Sequence, residues 1–331
     1  CIKCHDFSPI DAHATQFPRH TVNSVEELAY NLTTPFDSET EKARAIFYWL
    51  HCNITYDVDS FFSGNIQAAT AMDTLRSGLA VCDGYAGLFK SLAEVAGLQA
   101  HKVTGHGKGF GYTALAPGEP TPPESSNHAW NCVLMDGEWR VLDSCWGAGA
   151  LMGQVYTQRF APVWFTSTPT EFGKRHYPTD PSYQLIPDED GGPVSWEDYI
   201  LAPEGPTIYG DFHTLEFLPD LLQPATKDIQ SGQWVSFHIF KLCEHMSKDD
   251  ADNYVYFINA PDNTKTPLVV NAEGGWSANI YLPRGAGDVS LNYVTKVDGK
   301  DGKGLTVQGF NSSIGRKSMA WGGMCKWSLI Y

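Results

Sequence analysis

The fold of the first half of the chain is decided by the stretch Leu79-Ala80-Val81-Cys82-Asp83-Gly84-Tyr85-Ala86-Gly87-Leu88-Phe89. After Cys82, apolar residues recur at the three- and four-residue spacing of a helix, and Gly97 ends this pattern. Cys82 is therefore predicted to lie at a helix N-terminus. The free backbone N–H groups and the dipole at that end favour a thiolate and can hold a developing oxyanion.

Two further residues with catalytic chemistry follow Cys82 along the chain. His128 lies in Asn127-His128-Ala129-Trp130, and Asp143 lies in Val141-Leu142-Asp143-Ser144. A thiol at a loop-to-helix junction, then a histidine and an aspartate on successive strands, is typical of a thiol nucleophile with an oriented base. Taken singly, each residue has a structural interpretation: a small buried hydrophobe, a strand histidine and a turn former. The three together favour a nucleophilic site.

The relation between His128 and Asp143 can be counted from a predicted hairpin. Asp136-Gly137 is a two-residue turn signal between strands at His128 to Met135 and Glu138 to Cys145. This turn sets Trp130 opposite Asp143, so that His128 and Asp143 are diagonal neighbours on one sheet face and within side-chain reach. A three-residue turn would place them on opposite faces.

Several ordered blocks of the sequence resemble the transglutaminase-like proteins. Three of them correspond to the core of that superfamily: Val81–Tyr85, Asn127–Asn131 and Gly137–Gly147. Others resemble the kyphoscoliosis-peptidase branch: Asp11–Ala14, Tyr56–Phe62, Lys102–Gly105, Gly109–Tyr112, Trp164–Phe165, Glu171–Phe172, His176–Pro178 and Gln184–Leu185. The resemblance covers about residues 8 to 187. Ser144-Cys145 departs from it, because such proteins commonly carry a threonine after the aspartate, and we expect the change to be tolerated.

The resemblance implies an α+β fold with a papain-like cysteine-histidine-aspartate site that acts on amide bonds of peptides or proteins. Cys82 would attack a carbonyl carbon, His128 would shuttle the proton, and Asp143 would fix the imidazole tautomer. Water or an amine could resolve the resulting thioester, which leaves a peptidase and a cross-linking transglutaminase as alternatives. A non-catalytic scaffold that uses the fold for protein–protein interaction is the third alternative.

The region before the site is predicted to be helical. Capping boxes at Ser24 and Ser38 open two helices, and a third short helix is expected from Ala69 to Arg76. The second helix carries an apolar stripe that faces inward, with Trp49 on its flank as a core residue. Residues 105 to 126, rich in Gly, Pro and Ser, are expected to form a loop, and such a loop can be one wall of a substrate cleft.

A change of composition between Pro178 and Pro206 predicts a boundary between two domains, at residues 1–190 and 200–331. Its acidic centre, Asp188–Pro193, lacks calcium-loop spacing and is interpreted as a solvated linker. The region beyond it follows a period of two and predicts an antiparallel, Ig-like β-sandwich. Its strands are expected at residues 235–239, 254–258, 276–282, 289–297, 305–310 and 324–331. Kyphoscoliosis-type proteins carry such a region after the catalytic domain.

The β-rich region is expected to bind or position protein partners and to supply no catalytic group, because all three site residues precede the boundary. The alternative is that it only packs against the catalytic domain and stabilises it. Overall composition fits this division, since 331 residues with 42% hydrophobic content support two packed domains. The net charge of −15 excludes the usual nucleic-acid binders and binders of acidic membranes, and no apolar run is long enough for a transmembrane helix.

The eight cysteines show no disulfide framework, which favours a reducing, cytoplasmic location. Three glycosylation sequons, at Asn31, Asn53 and Asn311, point weakly the other way. The chain begins at Cys1 without a methionine, so we expect a fragment or a processed form, and the missing signal peptide says little.

Cysteines outside the site are given no catalytic role. Cys1-Ile2-Lys3-Cys4-His5 has the spacing of a haem attachment, of half a zinc site cut off upstream, or of a chance pair, and no metal or cofactor is assigned. The remaining thiols are expected to be ordinary core residues: Cys52, Cys132, Cys145, Cys243 and Cys325.

Overall fold

The computed structural model describes residues 1–116, 118–243 and 245–331 of the chain. Pro117, within the segment predicted as a loop, lies outside the described residues. The described residues divide into two units, Cys1–Ala202 and Pro203–Tyr331, called here the first and second unit. The break falls within the segment where the composition changes.

Helices make up most of the first half of the first unit. The hydroxyls of Ser24 and Ser38 accept hydrogen bonds from the N–H groups of Glu27 and Glu41, which confirms the two predicted helix starts. The third predicted helix begins after Thr70. The helices of this unit are α1 (Ser8–Ala14), α2 (Val25–Thr33), α3 (Glu39–Asn53), α4 (Val58–Ser63), α5 (Ala71–Ser77), α6 (Cys82–Val95), α7 (Ser144–Ala148), α8 (Val163–Thr166), α9 (Pro169–Gly173) and α10 (Trp196–Leu201).

The main core of the first unit forms around α3 and α6. Most of the apolar residues that recur along α6 are buried, including Tyr85, Leu88 and Leu92, whereas Val95 at its end is exposed. Trp49 of α3 is buried as predicted, and its indole N–H donates to the carbonyl of Phe17 at 2.6 Å. Burial of each large apolar side chain contributes roughly 1.5–3 kcal/mol, so these contacts fix the direction of α6. They thereby fix the position of its first residue.

An antiparallel sheet packs against α6 in the strand order β5-β4-β3-β8. The glycine-rich segment from residue 105 is strand up to Gly107, so the predicted loop begins later than expected. Two small sheets pair β1 with β2 and β6 with β7. The strands of the first unit are β1 (Thr55–Tyr56), β2 (Leu79–Ala80), β3 (Ala100–Gly107), β4 (His128–Met135), β5 (Glu138–Leu142), β6 (Gly149–Met152), β7 (Val155–Gln158) and β8 (His176–Pro178).

The hairpin between β4 and β5 has the predicted two-residue turn. Asp136 and Gly137 both have positive φ angles, 51° and 88°, which is the type I′ geometry that matches strand twist. Met135 pairs with Glu138, and the register continues to Asn131 and Leu142. The predicted extension of the second strand to Cys145 is wrong, because β5 ends at Leu142 and the helix α7 follows. Helix capping by the Asp143 side chain replaces the strand ladder at this point.

The second unit is a two-layer β structure with its own core. A larger sheet has the order β10-β18-β16-β12-β13, with β9 paired to β18 and β17 paired to β16, and a smaller sheet has the order β11-β15-β14. Its strands are β9 (Thr207–Ile208), β10 (Asp228–Gln230), β11 (Gln233–Ile239), β12 (Tyr256–Asn259), β13 (Lys265–Pro267), β14 (Val269–Val270), β15 (Trp276–Leu282), β16 (Gly287–Val297), β17 (Lys300–Asp301) and β18 (Met319–Ile330). Its helices are α11 (Gly210–Thr214) and α12 (Val307–Ser313).

Three further expectations for secondary structure and burial are wrong. Residues 305–310 do not form a strand, because Thr306 caps α12 and Phe310 packs into a small core with Phe257. The sandwich is not wholly antiparallel, since β10 pairs with β18 in parallel. Cys52 is exposed and Cys243 half-buried, whereas Cys132, Cys145 and Cys325 are buried as expected.

No helix within the described ranges is both long and apolar enough to cross a membrane.

The Asp136 turn is expected to be a stability determinant of the first unit. Its carboxylate accepts hydrogen bonds from the Ser38 hydroxyl at 2.9 Å and from the Glu39 N–H at 3.0 Å, at the N-terminus of α3. Asp136→Ala removes these bonds and places a less suitable residue at a positive φ, so we expect a loss of about 1–3 kcal/mol. Urea unfolding measures this loss. Glu138→Ala, an exposed change on the same hairpin, is the control and should stay within about 0.5 kcal/mol of wild type. Equal effects of the two changes would contradict the expectation.

Candidate active site

Cys82 is the first residue of α6, at the position predicted for it. The intrahelical hydrogen bonds begin with the N–H groups of Gly84 and Tyr85, which both donate to the Val81 carbonyl. The N–H groups of Cys82 and Asp83 lie before these bonds, at the positive end of the helix dipole. Asp83 also pairs with Lys102 of β3 at 2.6 Å, which ties the helix start to the sheet. The half-buried thiol thus sits where an oxyanion could be held.

His128 is the first residue of β4 and pairs with Gly105 of β3. Its ring stacks on Trp146, with 4.6 Å between centroids and 24° between planes. On the side of β3, a Cβ atom at Gly107 would come within 3.0–3.1 Å of His128, so a side chain there would crowd the histidine. The His128 ring therefore lies between the backbone of Gly107 and the indole ring of Trp146.

The carboxylate of Asp143 is fully buried and uses both of its oxygens. Oδ1 accepts the N–H of Trp146 at 2.9 Å, which caps α7. Oδ2 accepts from Nε2 of His128 at 2.6 Å and lies 3.0 Å from Nε2 of His176. His128 therefore has its Nδ1 free of the carboxylate, and Cys82 lies near enough to this ring to raise the pKa of the imidazole. The structure thus brings Cys82, His128 and Asp143 together.

His176 is a member of this cluster to which the sequence reasoning gave no role. It begins β8, is fully enclosed, and stacks on Phe172 with 3.8 Å between centroids. Trp146, Trp164 and Trp130 surround the ring at 4.4, 5.3 and 5.0 Å. Only its presence in the block His176–Pro178 marked it in the sequence. No sequence spacing relates His176 to Asp143. The strand β8, which begins at His176, and the strand β5, which ends just before Asp143, are connected in the sheet only through β3 and β4.

The two histidines that contact Asp143 have pKa values shifted in opposite directions. Burial lowers the pKa of His128, but the charge and hydrogen bond of Asp143, together with Cys82, outweigh burial and raise this pKa well above its usual range. Burial lowers the pKa of His176 to about 4, despite the opposing effect of Asp143. Burial raises the pKa of Asp143, yet His128 and His176 reverse this and hold it below its usual range. At neutral pH the cluster therefore contains an imidazolium, a carboxylate and a neutral imidazole.

The three side chains His128, Asp143 and His176 could also be considered as metal ligands, since their ligand atoms lie within 4.8 Å of one another. However, the carboxylate oxygen bonds both rings directly, at 2.6 and 3.0 Å. A cation would have to displace both bonds, and the fixed charges already balance. The cluster is best described as a hydrogen-bonded unit.

Comparison with known proteins agrees with this geometry. Residues 26–144 match the family model of the transglutaminase-like superfamily. Kyphoscoliosis peptidase of Mus musculus is 37% identical over 183 residues, which are 54% of this chain and 27% of the relative. The Lim and transglutaminase domain protein ltd-1 of Caenorhabditis elegans is 30% identical over 237 residues, 68% of this chain and 31% of that protein.

The chain thus spans about a third or less of the length of these curated relatives. Among solved structures, a protein described as a TGase has a TM-score of 0.27 and 20% identity, over 47% of this chain and 35% of that chain.

The neutral state of His176 predicts a pH dependence of stability. Between the native pKa of about 4 and the ordinary value of 6.5, the unfolded chain binds a proton at this residue that the native chain does not. Stability should therefore fall as the pH is lowered through this interval, by up to about 3 kcal/mol from this group. His176→Phe removes the titrating ring and should flatten the dependence of the free energy of unfolding between pH 6.5 and 4.

Phe172→Leu is the matched control, because it disturbs the stacking but keeps the imidazole. It should lower stability by a similar amount at every pH and leave the slope as in wild type. A His176→Phe curve that runs parallel to wild type would contradict the assignment of a neutral His176.

Proposed function

Since this chain carries a transglutaminase-like domain of the kyphoscoliosis-peptidase-like branch, we propose that it is a cysteine hydrolase or acyl-transferase acting on amide bonds of peptides or proteins. The observation that carries the proposal is the buried His128–Asp143 hydrogen bond beside a thiol at a helix start. This is the arrangement of a nucleophile, a base and an orienting carboxylate.

The proposed first step is attack by the Cys82 thiolate on the substrate carbonyl carbon. The carbonyl oxygen takes up the negative charge, which the N–H groups of Cys82 and Asp83 would stabilise. Collapse of the tetrahedral intermediate breaks the C–N bond. The His128 imidazolium gives its Nδ1 proton to the leaving amine, and a thioester on Cys82 remains.

The second step is attack on this thioester by water or by a primary amine. Neutral His128 removes a proton from the attacking group, and the Cys82 thiolate leaves, so that the ion pair is restored. Water yields a carboxylic acid, and an amine yields a new amide. Both reactions share the acyl-enzyme, and the proposal covers the two.

Asp143 is proposed to orient His128 and to stabilise its charged form. Because Oδ1 is held by the N–H of Trp146, the carboxylate cannot rotate without breaking the cap of α7. Oδ2 therefore always faces the two imidazoles. This fixes the proton of His128 on Nε2 and leaves Nδ1 for the reaction.

The second unit is proposed to hold no catalytic group and to bind protein partners. Its smaller sheet presents Trp234 and Tyr281, a cross-strand pair with 5.9 Å between ring centroids, and both rings are largely exposed. Exposed aromatic residues are common at protein interfaces. The partner role and the cytoplasmic location stay predictions.

Cys82 is expected to be alkylated selectively at pH 6. Its sulfur lies at a helix start beside the His128 imidazolium, whereas burial raises the pKa of the Cys52 thiol. Brief treatment with iodoacetamide, followed by peptide mass spectrometry, should modify Cys82 at least about tenfold faster than Cys52.

Cys82→Ala should abolish amide cleavage and acyl transfer with a nearly unchanged melting temperature. Turnover in Cys82→Ala would refute the assignment of the nucleophile.

Asp143→Asn tests the orienting role. The amide of asparagine preserves the shape of the side chain but loses the negative charge, and its NH₂ group is a donor where the carboxylate oxygen was an acceptor. We therefore expect kcat to fall by about 10³–10⁴-fold, similar to the effect of the same change in the triad of a serine protease. Asp83→Asn is the matched control, since Asp83 follows the nucleophile but pairs with Lys102, and its effect should stay within about tenfold. The proposal fails for Asp143 if both variants lose activity equally.

A further inference from the structure

Three phenylalanine rings form an exposed cluster that the proposed chemistry does not use. Phe61 and Phe62 lie on α4, and Phe110 follows β3. The centroid of Phe110 lies 6.3 Å from that of Phe61 and 5.7 Å from that of Phe62, with interplanar angles of 75° and 90°. Phe62 and Phe110 are 40% and 51% exposed. We call these three residues the aromatic rim.

One side of the rim is attached to the segment that carries the nucleophile. Tyr56 pairs with Ala80, two residues before Cys82, and its ring lies 5.6 Å from that of Phe61. Burial raises the pKa of Tyr56, and the charges of Cys145 and Cys82 add to this rise, as expected of neighbouring groups. Phe61 is therefore separated from the thiol region by a single ring.

The other side of the rim is attached to the segment that carries the base. Gly109 precedes Phe110, and a Cβ atom at Gly109 would come within 2.5 Å of the Trp146 ring. That ring is the one that stacks on His128 at 4.6 Å. Phe110 thus follows directly after a residue that packs against the indole covering His128. The contact between Phe110 and the two α4 rings joins the segments that flank Cys82 and His128.

The chemistry of the rim is apolar. Phe62 and Phe110 are exposed to solvent, and on α4 the Ser60 hydroxyl donates to the Asp57 carboxylate at 2.7 Å, while Asp59 is the exposed acidic residue of this helix. The exposed aromatic surface gains free energy when an apolar side chain covers it. Edge-to-face geometry also suits an additional aromatic ring.

We infer that the aromatic rim is a substrate subsite that selects a bulky apolar side chain, aromatic or branched aliphatic, close to the carbonyl attacked by Cys82. The inference rests on the proposed function and names its substrate class. The occupant is a side chain of the substrate peptide, because the rim is continuous with both flanks of the candidate active site. Phe61, Phe62 and Phe110 are thus specificity-determining residues.

The test compares two kinds of acyl donor on the intact chain. p-Nitrophenyl acetate offers only a methyl group on the acyl side, and the part of its turnover that is lost in Cys82→Ala reports on the nucleophile. Capped dipeptide thiobenzyl esters carry Phe, Leu, Ala, Glu or Lys at each of the two positions. At one position, kcat/KM for Phe and Leu should exceed that for Ala and Glu by about 10- to 100-fold.

Variants then assign this preference to the rim. In Phe62→Ala and Phe110→Ala, the ratio of kcat/KM for the Phe ester to that for the acetyl ester should fall at least about tenfold. Phe110→Leu keeps an apolar side chain and should retain most of the ratio. Tyr30→Ala removes a 68% exposed ring of α2 outside the rim and should keep the wild-type ratio. Thermal unfolding of each variant checks the fold.

The outcomes separate the inference from the proposed function. Absence of acetyl-ester turnover together with absence of acylation at Cys82 would refute the proposed function. Normal acetyl-ester turnover with equal rates for all dipeptide esters would overturn the subsite alone. A constant ratio in folded Phe62→Ala and Phe110→Ala would also overturn it, because the rings would then only hold the two segments together.

Discussion

The candidate site depends on one buried carboxylate. Asp143 has no solvent exposure, and an ionised carboxylate in such a place is unfavourable unless donors surround it. Here a backbone N–H caps one oxygen while two imidazoles share the other. Each of these bonds fixes a different element, namely α7, β4 and β8. The Asp143 carboxylate, whose charge the proposed chemistry needs, thus also links parts of the first unit that are distant in sequence.

The surroundings of Asp143 strengthen this connection. Indole and phenyl rings enclose His176, and Trp146 covers His128, so little water can screen the charges. Electrostatic interactions in such a medium are several times stronger than in water. The same enclosure has opposite effects on the two histidines. His128 faces Cys82 and the carboxylate and is stabilised as a cation, whereas enclosed His176 shares a carboxylate whose charge His128 already compensates.

The parts of this arrangement that could be predicted from sequence depend on local rules. The helix start at Cys82 follows from apolar periodicity, and the register of β4 and β5 follows from the turn at Asp136-Gly137. The end of β5 was not predicted, because a capping aspartate competes with the strand ladder and its success depends on the packing of α7. Similarly, the Thr306 cap favoured a helix where alternation had suggested a strand.

The features of the site that were not predicted depend on contacts between residues far apart in the sequence. His176 reaches Asp143 because β8 pairs with β3, and no local pattern specifies this neighbour. The contact of Phe110 with Phe61 depends on the path of the chain after β3, where Gly109 fits against Trp146. Both features needed the assembled sheet. A search of the sequence finds their residues only as members of blocks that resemble a family.

The central claim is that Asp143 holds His128 as a cation and leaves His176 neutral. It is tested most directly by ¹⁵N NMR of histidine-labelled protein between pH 4 and 10, with assignments from His128→Gln and His176→Phe. The account predicts that both ring nitrogens of His128 remain protonated at pH 8, while His176 carries a single ring N–H above about pH 5. A His128 ring that loses its proton near pH 6.5, as an unperturbed imidazole does, would contradict the account.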